Sequence, residues 1–181
     1  MTVQKIKALL IILLFLPCFS KAQEFETKTG SIEFYSEATV ESFTGSSSQL
    51  NGYINLADST LDFYLDLATL QTGVKLRDEH MRENHLETEK FPFAEFSGKM
   101  SGFNSAIADS QAVMAKGTFT IHGVSKEITV QGKAKLTDGK FGLVATWNVI
   151  LQDYEITRPK FLFLKLSETQ KVTLKAELSK K

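Results

Sequence analysis

The sequence predicts an all-β fold: a closed antiparallel β-barrel of about eight strands, with a short helix inserted between strands. Three observations carry that expectation. Apolar and polar residues alternate over most of the chain, which is the period of half-buried antiparallel strands. Short turn signals join the alternating segments, Asp138-Gly139 being the strongest. No second sheet is evident for the strands to pack against, so closing the sheet on itself is what removes its edges.

The elements follow in order. Ile32 and Phe34 open the first strand. Leu50, Gly52, Ile54 and Leu56 share one face of the second, and Ala57-Asp58-Ser59 turns the chain into the third. There Leu61, Phe63, Leu65 and Leu67 point one way while Asp62, Tyr64 and Asp66 point the other. Leu70 to Met100 breaks the pattern and reads as a long excursion, a kind of segment that in compact domains is functional or disordered. Its apolar anchor points argue against disorder. Within it Lys75 to Leu86 has no proline or glycine and reads as a helix, with Val74, Met81 and Leu86 on the apolar side. Phe91-Pro92 ends it, because proline biases its predecessor to extended geometry. Alternation resumes in Val113–Ile121, Ile128–Leu136 and Phe141–Val149. Phe161 to Leu166, then Val172, Leu174, Ala176 and Leu178, supply the last two strands.

A barrel of this size is either filled by its own side chains or holds one small ligand. Its expected inner faces carry Gly52, Ala94, Gly98, Ala115, Gly117, Gly132, Ala134 and Ala145 beside phenylalanines and Trp147. Small residues there leave room for an apolar guest. They equally relieve strain where a strand bends sharply. The pattern alone leaves both explanations standing.

The N-terminus reads as a secretory signal over residues 1–22, ahead of a single domain at 23–181. Lys5 and Lys7 precede an apolar run from Ala8 to Phe19, and small residues at Ser20 and Ala22 fit a peptidase site before Gln23. The run is short for a membrane span. Pro17 occupies the small-residue position that lipid attachment at Cys18 needs, which argues against a lipoprotein. The expected location is therefore periplasmic or secreted. The segment holds Lys5, Lys7, Lys21 and no acid, so the 21 basic residues of the chain fall to 18 against 21 acidic ones. Such a balance offers no footprint for nucleic acid. The only Cys leaves with the signal, so the domain depends on its core rather than on disulfides.

Three blocks of the chain resemble a known family. Thr72, Gly73, Arg77, Asp78, His80 and Met81 form the first. Phe91, Pro92, Ala94 and Phe96 form the second, and Gly117 with Phe119-Thr120-Ile121-His122-Gly123-Val124 the third. Their order resembles the signature of the YceI-like family, over essentially the whole mature chain from about Gly30. The resemblance implies an exported, lipocalin-like barrel that holds a long polyisoprenoid or quinone-like lipid, and it favours a cavity over mere corners. In one place the chain departs from the pattern. Many members carry a His after the first strand, where Glu37 or Ala38 stands here, which implies a different head-group preference.

The expected lipid-lining residues are Phe34, Phe63, Leu65, Phe96, Phe119, Ile121, Trp147 and Phe161. Arg77, Asp78 and His80 are the head-group candidates. Against that stands a structural plug, in which Arg77 and Asp78 satisfy helix ends and each other. The expected partner is a long-chain isoprenoid-type lipid, with transient membrane contact and no nucleic acid, and the oligomeric state is open. No cofactor and no metal site are expected. His80 and His85 are five apart on a helix and so diverge, and His122 sits at a turn where a structural hydrogen bond is its natural role. Ser46-Ser47-Ser48 lacks a nucleophile elbow, and no carboxylate pair stands out as acid and base. The expected function is non-covalent lipid carriage without catalysis. Two rivals remain: a filled barrel docking an envelope protein through Tyr53 and Tyr64, or an enzyme using Arg77, Asp78, His80 and His122 on a bound lipid.

Overall fold

A computed structural model describes residues 23–38, 41–158, 160–161 and 164–181. The expected signal segment, 1–22, lies outside the described residues, as does the side chain of Phe161. The strands are β1 (Glu24–Ala38), β2 (Phe43–Asn55), β3 (Thr60–Asp66), β4 (Phe93–Ser101), β5 (Gln111–Ile121), β6 (Val124–Thr137), β7 (Lys140–Ile150), β8 (Lys160–Phe161) and β9 (Leu164–Lys180). Each of β1 to β7 pairs antiparallel with its neighbour, β7 pairs with β9, and β9 pairs with β1. That closes an eight-stranded barrel, with the two-residue β8 folded back on the start of β9.

The count of eight was expected, but its membership differs. β4 falls inside the segment read as an excursion, yet it pairs with β3 from Phe93 to Lys99 and with β5 from Glu95 to Ser101. Its alternation of Ala94, Phe96, Gly98 and Met100 is hidden by the small residues. The separate strand expected at Phe161 to Leu166 is mostly the beginning of β9, which continues unbroken to Lys180. The excursion therefore shrinks to the stretch between β3 and β4.

Turn chemistry behaves as expected. Asp138 and Gly139 both adopt positive φ, 51° and 75°, as do His122 and Gly123 at 55° and 73°. Two successive left-handed residues in a two-residue loop match the twist of the flanking strands. At one end of the barrel the core is solid: Ile54, Ala134, Phe141 and Leu178 are completely buried. Phe25 and Phe103 pack their rings on Phe141, with centroids 5.7 and 4.9 Å away.

The glycines settle a question that the pattern left open. Gly98 and Gly117 face each other across β4 and β5, and a Cβ on Gly117 would lie 2.2 Å from the Ser97 carbonyl oxygen. A Cβ on Gly132 would lie 2.6 Å from the Val144 carbonyl oxygen. These glycines mark close strand approach at corners. Gly45 and Gly52 do something else: the rings of Phe34 and Phe63, their cross-strand partners, lie over them. Of the small residues proposed to open a cavity, only Ala94 lines one.

Candidate functional site

The other end of the barrel is hollow. A cavity of about 570 Å³ opens at the end where β1 leads into β2 and β7 leads toward β9. That volume is within the range of small-molecule sites, about 300–1,000 Å³. Its wall is almost wholly apolar. Phe34, Phe63, Leu65 and Phe96 line it, and so do Phe119, Ile121 and Trp147. Leu50, Leu67, Leu70, Val149 and Leu174 were missed as wall residues, although their alternation placed most of them on inner faces. The barrel is therefore not filled, which removes the basis of the solid-module rival.

The mouth is built by three loops. Ala38, Glu41 and Phe43 contribute from the β1–β2 connection, and Ile156 and Thr157 from the segment after β7. The third wall is the insert between β3 and β4. It starts with a 3-10 turn, Leu67–Thr69, capped by the Asp66 carboxylate accepting from the Ala68 N–H at 2.9 Å. Leu67 and Leu70 are buried, and Gln71 pairs its backbone with Ser46 through two hydrogen bonds of 2.8 and 3.0 Å.

The expected helix over Lys75 to Leu86 divides. α1 covers Lys75–His80, and Met81–His85 continues as a π turn in which the Leu86 N–H donates to the Met81 carbonyl oxygen at 2.9 Å. This corrects the reading that His80 and His85 diverge. Five residues is close to one π turn, and both imidazoles reach the cavity wall. His85 Nδ1 donates to the Thr157 carbonyl oxygen at 2.7 Å, tying the insert to the segment after β7.

Arg77 and Asp78 do not pair with each other. Asp78 is buried and accepts from the Thr72 N–H at 2.7 Å and from the Thr72 hydroxyl. The same hydroxyl accepts from Arg77 Nε at 2.8 Å, while Arg77 Nη2 donates to the Thr72 carbonyl oxygen at 3.0 Å. The guanidinium lies 4.2 Å over the Phe43 ring. Arg77 is thus fixed at the cavity mouth by neutral groups, and among the described residues it has no carboxylate partner. A guanidinium has five N–H donors, so three remain for something else. Asp78 is not on the cavity wall; it is held by Thr72.

His122 takes the structural role expected for it. Its Nδ1 donates to the Tyr154 carbonyl oxygen at 3.0 Å, and its Nε2 lies 2.7 Å from Glu87 Oε2. The Phe91 ring packs edge-on against it, 4.8 Å between centroids. Glu87, His122 and Glu155 all hold positive φ here. His122 is buried off the cavity wall, so it does not join Arg77 and His80 in one constellation. Among the described residues no group of three or more His, Cys, Asp or Glu is placed to hold a metal ion.

Residues 24–178 match the model of the YceI-like domain. The chain belongs to the YceI-like family. Solved structures show the same fold at low identity. A polyisoprenoid binding domain from Saccharophagus degradans, implicated in plant cell wall breakdown, is similar at 19% identity and a TM-score of 0.76, covering 89% of this chain and 100% of that one. BcnA of Burkholderia cenocepacia is similar at 10% identity and a TM-score of 0.68, over 83% of this chain and 96% of that one. The YCEI protein of Campylobacter jejuni follows at 19% identity and a TM-score of 0.55, over 81% of each chain. No curated protein is significantly similar to the chain. The three YceI-like blocks now have places. The first is the Thr72–Arg77–Asp78 knot. The second meets the third where Phe91 packs edge-on against His122, over a Gly123 whose Cβ would strike that ring at 2.5 Å. In this chain the family blocks fasten the insert to the rim of the cavity.

Proposed function

We propose that this protein is an exported, non-covalent carrier of a long apolar lipid of isoprenoid type, and that it performs no chemistry on it. The observation that carries the reading is the division of the barrel: a solid core at one end, and at the other a cavity of about 570 Å³ walled by Phe, Leu, Ile and Trp, with polar groups gathered at its mouth. The polyisoprenoid binding of the Saccharophagus degradans domain supports the ligand class. Burying roughly 500 Å² of apolar tail yields about 12 kcal/mol gross. Immobilising a flexible chain offsets much of it. The remainder suits a carrier that must also release. Export rests on the basic, apolar and small-residue order of the first 22 residues.

Arg77 sets the head-group class. Its three spare donors at the mouth call for an oxygen acceptor, a phosphate or a quinone carbonyl, rather than a bare hydrocarbon end. Native mass spectrometry of protein from its own producing cells should show a bound isoprenoid lipid. Titration with a polyprenyl phosphate and with a hydrocarbon of equal length then tests Arg77. Arg77→Ala should weaken binding of the phosphate-bearing lipid by about 1–3 kcal/mol, the scale of a charge-assisted hydrogen bond, and leave the hydrocarbon alone. Equal losses would make Arg77 a plug, and no loss for either would remove it from binding.

A further inference from the structure

We propose that the mouth end of the barrel, led by Val74 and Leu76, docks on a lipid bilayer, so that the ligand passes between membrane and cavity without crossing water. This rests on the lipid-carrier reading of the same cavity. Leu76 is 60% exposed and Val74 48%, the two highest values among the exposed large apolar residues described. Both also line the cavity. The same side chains therefore form the inner rim and the outer surface of the mouth.

They do not stand alone. Among the described residues, six of the nine exposed large apolar side chains lie toward the mouth: Tyr35, Tyr64, Val74, Leu76, Phe93 and Ile150. Tyr35 and Ile150 are near the ends of β1 and β7 that flank the mouth, and Phe93 starts β4. Tyr64 and Phe93 form an edge-on pair on the outer wall, 6.0 Å between centroids. Rings with one polar tip favour the head-group layer of a membrane, and Lys75, exposed between Val74 and Leu76, can lay its stem along apolar surface with the ammonium among phosphates.

Continuity decides the occupant. Val74 and Leu76 carry apolar surface from the outside of the mouth into an apolar cavity, and such a rim suits a partner through which a lipid can move. A second protein seated on Val74 and Leu76 would stopper the opening they line. A bilayer presents hydrocarbon to the rim and the cavity at once.

The test uses the purified, lipid-free protein and phosphatidylcholine vesicles, with flotation as the readout. The wild type should float with the vesicles. Leu76→Gln and Val74→Asn should each lower that association by about tenfold, the factor for one large apolar side chain left in water. Met114→Gln, an exposed apolar residue on the flank of β5, should float as the wild type does. The proposal is overturned if the empty wild type does not float, if both rim variants float unchanged, or if Met114→Gln loses as much as they do. Floating only after loading also overturns it, because the ligand's own tail would then be what covers the rim. A second arm follows a fluorescent isoprenoid alcohol from the loaded protein to acceptor vesicles. Transfer should speed up in proportion to acceptor concentration, and a rate independent of it would mean release into water. Failure of the wild type to take up the alcohol from detergent solution would strike the carrier reading instead, leaving the flotation result to judge the docking surface.

Discussion

Thr72 is the hinge of the mouth chemistry, because one hydroxyl serves two charged neighbours: it donates to Asp78 and accepts from Arg77 Nε. Thr72→Val removes both bonds and leaves the buried Asp78 carboxylate with fewer donors. The expected cost is about 1–3 kcal/mol, the penalty for an under-satisfied buried polar group, read from denaturant midpoints. The same change should weaken the phosphate-bearing lipid more than the hydrocarbon, because Arg77 loses its orientation. A second residue couples stability to alkaline pH. Burial and the nearby Asp153 carboxylate push the Tyr154 phenol above its ordinary range. A raised value means the folded state holds the proton more tightly than the unfolded chain does. Its stabilisation is complete below the ordinary phenol range, about 10, and is lost as pH rises through the raised value. Tyr154→Phe should therefore resist alkali better than the wild type, in denaturation midpoints compared at neutral and alkaline pH. A wild-type midpoint that falls no faster than the variant's would count against it.

At the scale of elements, the β4–β5 pair shows why small residues on an inner face are not one class. Gly117 faces Gly98 so closely that any Cβ meets backbone rather than a flexible side chain. Gly117→Ala should destabilise the barrel by about 1–3 kcal/mol, as overpacking does, without changing lipid content. Ala94 lies on the same β4 strand but lines the cavity opposite Leu65. Ala94→Leu should displace lipid while moving stability by less than about 1 kcal/mol, since its added methyls enter empty volume. Melting temperature and bound lipid, measured on both variants, separate a corner from a cavity wall. The insert obeys a different logic. Its middle is helical by local preference, but its two ends are held by distant groups: Ser46 against Gln71, and His122 against Glu87.

The whole molecule combines a solid end with a hollow one, and that asymmetry should govern its dynamics. Amides of β6 and β7 near Ala134 and Phe141 should exchange slowest, at the global unfolding limit, while those of α1 and the π turn exchange through local opening. Uniform protection along the barrel would contradict the division. The proposed export belongs to this scale as well. The backbone is already engaged at Gln23, whose carbonyl oxygen accepts from the Leu56 N–H at 3.0 Å, and β1 begins at Glu24. Cleavage before Gln23 leaves that strand whole. Terminal sequencing of protein from the producing cells should therefore read Gln23 first, and an intact Met1 in a membrane fraction would refute it.

Local order carries some of these properties and not others. Side-chain direction repeats every two residues in a strand, so the barrel class, most strand faces and six of the wall residues lie where the alternation puts them, while Phe96 entered only through the second family block. The left-handed turns at Asp138-Gly139 and His122-Gly123 are set by the residues themselves. Distance between strands is not written in a period. β4 was hidden because Ala94 and Gly98 weaken its apolar face, and only pairing with β3 and β5 reveals it. Whether a glycine bends a corner or seats a ring depends on which strand lies opposite, as the contrast between Gly117 and Gly52 shows. The fates of the polar candidates were settled at two ranges. Asp78 is held by Thr72 within its own insert, whereas His122 is held by Glu87 and Tyr154, 35 and 32 residues away in the chain. Sequence determined what each side chain is and which face it takes; tertiary packing decided what it meets, because hydrogen bonds and cavities are made between segments that only closure of the barrel brings together.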